Sequence, residues 1–335
     1  MADPRIEAAT RNDLFARYGL AVTACVETHG LHQLETTSGT YCLHVSARRE
    51  AKVRLAAAVA THVRSHGLLS LPAWIPTLTG EPFVSVSSKE HHVLTGWVAG
   101  APPDFSVPAH ITAAAAGLSA FHRAARGFCL PEGLRVRPRW GGLTKILERQ
   151  IEELAVFRVV ARSRASSTSF DRRFLSLADE ALAIARAAAD RLQASDYSLL
   201  TRQAQDDSAV CWRAFSARSM RLAGDEAVLL HTLSARQDAP VVDLIDALDV
   251  VGGANAWSPA CLDPFLAGYR CSPAELKVAA VVLAFPREFW RLASRYYQNR
   301  TEWSERAFVA RLEAVVEEDA SRRAFAAIVG ALAES

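Results

Sequence analysis

Residues 210–220 read VCWRAFSARSM and residues 227–234 read AVLLHTLS. The first stretch starts apolar, passes through a short polar segment and returns to apolar residues at Met220. The second reads as a further strand. Together they outline a strand, a loop and a hairpin, an arrangement that often carries a catalytic residue on its loop. Yet Trp212 to Ser219 contains no Asp, Glu, His or Lys. Either the chemistry of this loop has been removed, or it never had any.

The surroundings narrow the choice. The chain has 335 residues, of which 50% are hydrophobic and 22% charged, as in ordinary globular domains. A chain this long buries a large core and needs no disulfide or metal to hold it. Its formal net charge of +2 gives no case for nucleic acid or an anionic membrane as partner. The six cysteines are scattered without a CxxC pair, which fits reduced thiols in a cytoplasmic protein. The N-terminus MADPRIEAATRND has no apolar core of a signal peptide, and the run VAAVVLAF (278–285) is too short to span a bilayer.

The first hundred residues are rich in strands. LAVTACVET (20–28), HQLETT (32–37) and TYCLHV (40–45) are separated by HG and TSG, which is hairpin punctuation. A helix over 49–67 ends at Gly67, and ATRNDLFARYG (9–19) reads as a short helix before the strands. AWIPTL (73–78), FVSVSS (83–88) and HHVLTGWV (91–98) read as two or three more strands. The Pro/Gly-rich joint AGAPPDFSVPAH (99–110) follows, and the pattern then turns helical. Helices are expected over 111–128, 141–163 and 170–195. After the β region 209–233 they resume at about 240–251, 259–269, 273–284, 286–299, 302–317 and 319–333.

This order resembles the CotS-type spore coat family, in the aminoglycoside phosphotransferase and choline kinase branch of the protein-kinase-like fold. The resemblance rests on ETTSGTYCLHV (35–45), LTGWVAG (94–100), LSAFHRAARGF (118–128), DAPVVDL (238–244), FLAGY (265–269) and AFPREFWRLASRYYQNRTEW (284–303), in that order. It implies an α+β fold of two lobes. A small β-rich N-lobe would cover residues 1–98, and a larger helical C-lobe residues 99–335, with the loop and hairpin at 209–233.

Relatives of this kind place a lysine on the third strand to hold phosphates, an Asp in the loop to orient the substrate hydroxyl, and an Asn and a second Asp to hold Mg²⁺. Phosphoryl transfer is mostly positioning and charge neutralisation, so these groups do most of the catalysis. Matched to this sequence, the four positions fall on His44, Ala214, Ser219 and His231, which leaves no catalytic residue. The expected lining of the cleft is His44, Trp212, Arg213, Ala214, Ser219 and His231, with Trp212 and Arg213 partly filling it. The register predicts that His44 and His231, 187 positions apart, are neighbours. Asp243 matches a family Asp that holds the loop by hydrogen bonds. Lys52 or Lys89 could reach a phosphate only by relocation.

The resemblance implies a catalytically degenerate kinase-fold protein, made in the mother cell and deposited on the spore coat among other coat proteins. ATP and Mg²⁺ are expected not to bind. The alternatives are an active small-molecule phosphotransferase with a rearranged site, and a cleft that binds a small ligand without turnover. The assembly reading also expects an exposed apolar patch.

Other signals weigh less. His91 and His92 are adjacent on a strand and should point to opposite faces, so no shared metal is expected. His62 and His66 have the i, i+4 spacing that suits a metal, but the sequence offers no third ligand near them, and a solvated helix face is the expectation. His122 is expected to pack and hydrogen-bond. The aromatic cluster Trp290, Tyr296, Tyr297 and Trp303 is expected to be core, with an interface belt as the alternative.

Overall fold

The structure, a computed structural model, describes residues 13–28, 31–298 and 302–334. They group into two compact units. One holds the chain up to Arg139 together with Ala204–Asp243 and Asp263–Arg270; the other holds Trp140–Gln203, Leu244–Leu262 and the remainder from Cys271. The lobe boundary at 98/99 falls inside the first unit.

The first unit is built on an antiparallel sheet of five strands in the order β1-β2-β3-β5-β4. They are β1 (Val22–Thr28), β2 (Leu31–Thr36), β3 (Gly39–Ser46), β4 (Val84–Ser87) and β5 (Glu90–Gly96). Helix α1 (Glu50–Ser65) follows β3 and buries Val53, Leu55, Ala56, Val59, Ala60 and Val63. One face of the sheet packs Leu34, Leu43 and Leu94 against Leu14, Phe15 and Tyr18. Leu14 and Phe15 belong to a helical turn at 13–16; the rest of the short helix expected at 9–19 lies partly outside the described residues.

AWIPTL does not form the expected strand. It makes a single bridge, Trp74 to Thr95, with bonds from Ile75 N to Leu94 O (2.8 Å) and from Gly96 N to Ala73 O (3.3 Å). Pro72 precedes the segment and Pro76 lies within it, and neither can donate to a ladder.

Helix α2 (Pro108–Ala124) starts with proline at its first turn, where the missing N–H costs nothing. The loop region then adds β6 (Val210–Cys211), paired with β9 (Arg236–Gln237), and the hairpin β7 (Met220–Ala223) and β8 (Glu226–Leu229). Two glycines let backbone close on this hairpin. A Cβ on Gly100 would lie 2.1 Å from Leu222 O, and one on Gly117 of α2 would lie 2.8 Å from Ala227 O. Leu222 N donates to Ala101 O across the first of these contacts (2.9 Å). The hairpin is thus held from both sides by main chain.

The second unit is helical. Helices α3 (Gly142–Ser163), α4 (Ser169–Gln193), α8 (Pro273–Leu283), α9 (Arg287–Tyr297) and α10 (Glu305–Ala331) lie wholly in it. Helix α4 begins with a capping box between Thr168 and Asp171. Helices α5 (Tyr197–Asp206), α6 (Val241–Ala254) and α7 (Leu262–Gly268) complete the chain order. The sequence pattern had no helix at α5 and two helices where α10 is one. No Gly or Pro stands between residues 317 and 319, and Asp319 with Arg322 continues the helix at i, i+3 spacing. The aromatic cluster packs in this unit. Tyr296 stacks on Phe170 at 4.0 Å and the Tyr297 hydroxyl donates to Asp171 (3.0 Å), while Trp303 is 43% exposed.

Candidate functional site

On β3, side chains alternate between the faces of the sheet. Leu43 goes to the apolar core described above. Cys42 and His44 share the other face with their β5 partners Thr95 and Val93, because residues paired across a ladder lie on the same face. His44 Nε2 is 3.1 Å from Thr95 Oγ1. The chain leaving β8 brings His231 to this face, edge-on to His44 at 5.5 Å between ring centres. It is anchored there next door, where Thr232 Oγ1 donates to Ala56 O of α1 (2.8 Å).

Neither imidazole is suited to carry charge. Burial, with repulsion from His231 and His32, lowers the His44 pKa to about 3. Burial, with the nearby Arg48 charge, lowers that of His231 to about 4. At neutral pH the pair is uncharged, so it offers phosphate no cation and a metal ion no anion.

The loop after β6 is organised by Asp243, at the start of α6. One carboxylate oxygen accepts from Trp212 N (2.6 Å) and faces His122 Nε2 (2.9 Å); the other accepts from Arg213 N (2.9 Å). Burial pushes the Asp243 pKa up, but the His122 bond and charge, then Arg213 and the Trp212 N–H, hold it below the usual carboxylate range. His122 Nδ1 in turn meets the Tyr269 hydroxyl at 2.8 Å. Arg213 sits in the left-handed region at φ 59° and donates to Val242 O (2.9 Å). A non-glycine residue there costs about 1 kcal/mol or more, so the bonds to Asp243 and Val242 hold a strained turn in place.

Trp212 is fully buried, and its indole N–H donates to His231 O (2.5 Å). Ala214 is half-buried and presents only a methyl group. Ser219 ends a short 3-10 turn, where its hydroxyl is 3.0 Å from that of Ser216. Among these positions, His44, His231 and Trp212 come together, Arg213 turns to the start of α6, and Ala214 and Ser219 stay on the loop.

His122, Cys211 and Asp243 have ligand atoms within 4.8 Å of one another. All are engaged: Cys211 donates to Ala239 O (3.1 Å), and burial, with the Asp243 charge, pushes its thiol pKa well up. A protonated thiol and an occupied carboxylate do not fit a metal.

One residue had no signal in the sequence pattern. Arg221 of β7 is fully buried. Its Nη1 donates to Met220 O (2.7 Å), while Nε and Nη2 have no hydrogen-bond partner. Burial lowers its pKa, opposed by the Cys42 thiol of β3. Lys52 of α1 is half-buried; burial and then the charges of Arg139, Arg236 and Arg48 lower its pKa, so it stands in a basic neighbourhood. Lys89 is exposed on the β4–β5 turn, and Asp225 and Glu226 are exposed at the hairpin tip. His91 and His92 point to opposite faces, one to Ser85 Oγ (2.9 Å) and one to Glu90 (2.7 Å).

Comparison with known structures agrees with this layout. The chain is similar to an aminoglycoside phosphotransferase from Alicyclobacillus acidocaldarius, with 19% identity, a TM-score of 0.81 and 96% of each chain covered. It is also similar to a spectinomycin phosphotransferase, APH(9)-Ia, with 14% identity, a TM-score of 0.63, and 96% of this chain and 100% of the other covered. The amicoumacin kinase hAmiN matches at 11% identity and a TM-score of 0.57, over 94% and 93% of the two chains. At such identities the likeness establishes the fold, α+β and protein-kinase-like. No described helix is long and apolar enough to cross a membrane. A family model described as "Spore coat putative kinase YutH" matches residues 11–328, and the chain belongs to that family.

Proposed function

We propose that this protein keeps the kinase-like fold, has given up phosphoryl transfer, and acts in spore coat assembly through contacts with other coat proteins. On this reading it is made in the mother cell and deposited on the coat. The observation that carries it is the His44–His231 pair. The groups that would neutralise phosphate and hold Mg²⁺ are replaced by two imidazoles, 5.5 Å apart, that burial keeps uncharged. Ala214 supplies no carboxylate, and Trp212 takes up space beside them. Mg²⁺ requires several oxygen ligands, and the four matched positions offer only the Ser219 hydroxyl. Val156, Val159 and Val160 lie exposed on α3 at helical spacing, an apolar stripe of the kind the assembly role calls for.

A second reading, an anion-binding protein without turnover, is favoured by the buried Arg221 and by the cluster of Lys52 with Arg48, Arg139 and Arg236. Thermal melting with ATP, with and without Mg²⁺, separates the possibilities, because a ligand that binds the folded state raises its stability. The proposed role predicts no shift with either at millimolar concentration. A shift with ATP alone that Mg²⁺ does not enhance supports the second reading. A shift that requires Mg²⁺ overturns both in favour of an active kinase.

A further inference from the structure

The i, i+4 pair His62 and His66 lacks a third ligand in sequence, and the fold supplies one. His66 closes the C-terminus of α1, and its ring lies 4.1 Å from that of His62. After α2 the chain turns at Gly127, which has φ 70° and is fixed by a bond from its N–H to Asp207 O (2.8 Å). The turn sets Phe128 edge-on against His62 at 5.5 Å. The next residue is Cys129, an exposed free thiol. His62, His66 and Cys129 line one open pocket of about 520 Å³, floored by Ala58, Phe128 and Pro131.

The hydrogen bonds of the two rings are arranged as metal-binding histidines require. His62 Nε2 lies 3.0 Å from Arg126 O, and His66 Nδ1 lies 2.8 Å from His62 O. A carbonyl can only accept, so each of these nitrogens carries the proton. That leaves lone pairs on His62 Nδ1 and His66 Nε2. Donation of the second ring nitrogen to a backbone carbonyl is the support that fixes the tautomer of metal-ligating histidines.

We propose that His62 Nδ1, His66 Nε2 and Cys129 Sγ bind a divalent transition metal ion of the zinc type, with one coordination position left open. Two imidazoles and a thiolate select zinc over magnesium or calcium, which prefer oxygen. The three donors do not all lie within 4.8 Å of one another before binding, the only such group among the described residues being His122, Cys211 and Asp243. His66 and Cys129 are exposed and have the pocket to turn into, so they can close on an ion without moving the core. Cys129 then loses its proton to solvent as the sulfur–metal bond forms. The two groups differ in occupancy: the donors of the buried group are spent on protein partners, while His62 Nδ1 and His66 Nε2 keep their lone pairs and Cys129 Sγ makes only a 3.6 Å bond to Gly127 O.

The test uses the full chain, stripped with a chelator and titrated with Co²⁺ and then Zn²⁺. One equivalent of Co²⁺ should give a near-ultraviolet thiolate-to-cobalt band that Zn²⁺ abolishes. Cys129→Ser should remove the band, and His66→Ala should weaken Zn²⁺ binding at least about tenfold, measured against a chromophoric chelator. His110→Ala should change neither. His66 and Cys129 are exposed and His110 is half-buried, and matching melting curves without metal show that the three variants are folded. The proposal fails if no band forms, if the band survives in Cys129→Ser, or if His110→Ala weakens binding as much as His66→Ala does.

Discussion

Two parts of one loop region have fared differently. Around Asp243 the polar groups are tightly matched: a carboxylate, two backbone N–H groups and a histidine, all within hydrogen-bonding distance. A few residues away, where β3 faces the chain after β8, the ionic groups expected of a phosphotransferase are absent, and two uncharged imidazoles stand there. The first set shapes the loop, and the second, on the proposed function, stands where a phosphotransferase would run its reaction.

The largest effect should come from breaking the first set. Asp243→Ala leaves Trp212 N, Arg213 N and His122 without their acceptor in a buried place. We expect a loss of roughly 3–5 kcal/mol, read as a lower urea midpoint at unchanged slope. A loss below about 1 kcal/mol would mean that the loop is held by something else. Asp243→Asn should fall between the two, because its amide nitrogen cannot accept.

The second set should show itself in acid. The folded pKa of His44 is about 3, below the ordinary value of about 6.5 for an unfolded chain. The unfolded state therefore takes up the proton first as pH falls. This contribution to stability is complete above pH ~6.5 and shrinks progressively toward pH 3, by about 2 kcal/mol at pH 5. His44→Gln removes that proton and should flatten the pH dependence of unfolding between these limits by a similar amount. An unchanged slope would show that His44 is not buried as a neutral group.

The smallest expected effect is none. Ala214→Asp alone should leave Mg²⁺-dependent phosphate transfer from ATP to aminoglycosides or choline at background. Restored turnover from that one change would show that the rest of the machinery is present in another form.

Much of this was legible in the sequence, for local reasons. The strands β1 to β3 and helix α1 announced themselves through β-branched runs, hairpin punctuation and a terminal glycine. The pairing of His44 with His231 could be read because 238–244 fixes the count back to β8. Where the reading failed, spacing carried too little. Helix α5 has ten residues and few apolar ones, so its pattern is faint. The prolines around 73–78 outweighed its apolar character. Asp319 and Ser321 resemble the start of a new helix, yet the long helix runs through them. Arg221 under Cys42, and Cys129 beside His62, are tertiary neighbours with no sequence spacing to reveal them.

The bond from the Trp212 indole to the His231 carbonyl bears on how such a protein could change over time. It ties the loop to the chain leaving the hairpin through a fully buried side chain. If an ancestor carried out the reaction, a return by single steps would first have to remove this tryptophan, at a cost of about 3–5 kcal/mol for a large buried aromatic, before any catalytic group could act. Each intermediate would be less stable and still inactive, so selection would discard it. One hydrogen bond and one packed ring would then act as a ratchet, turning a loss of function into a commitment of the lineage.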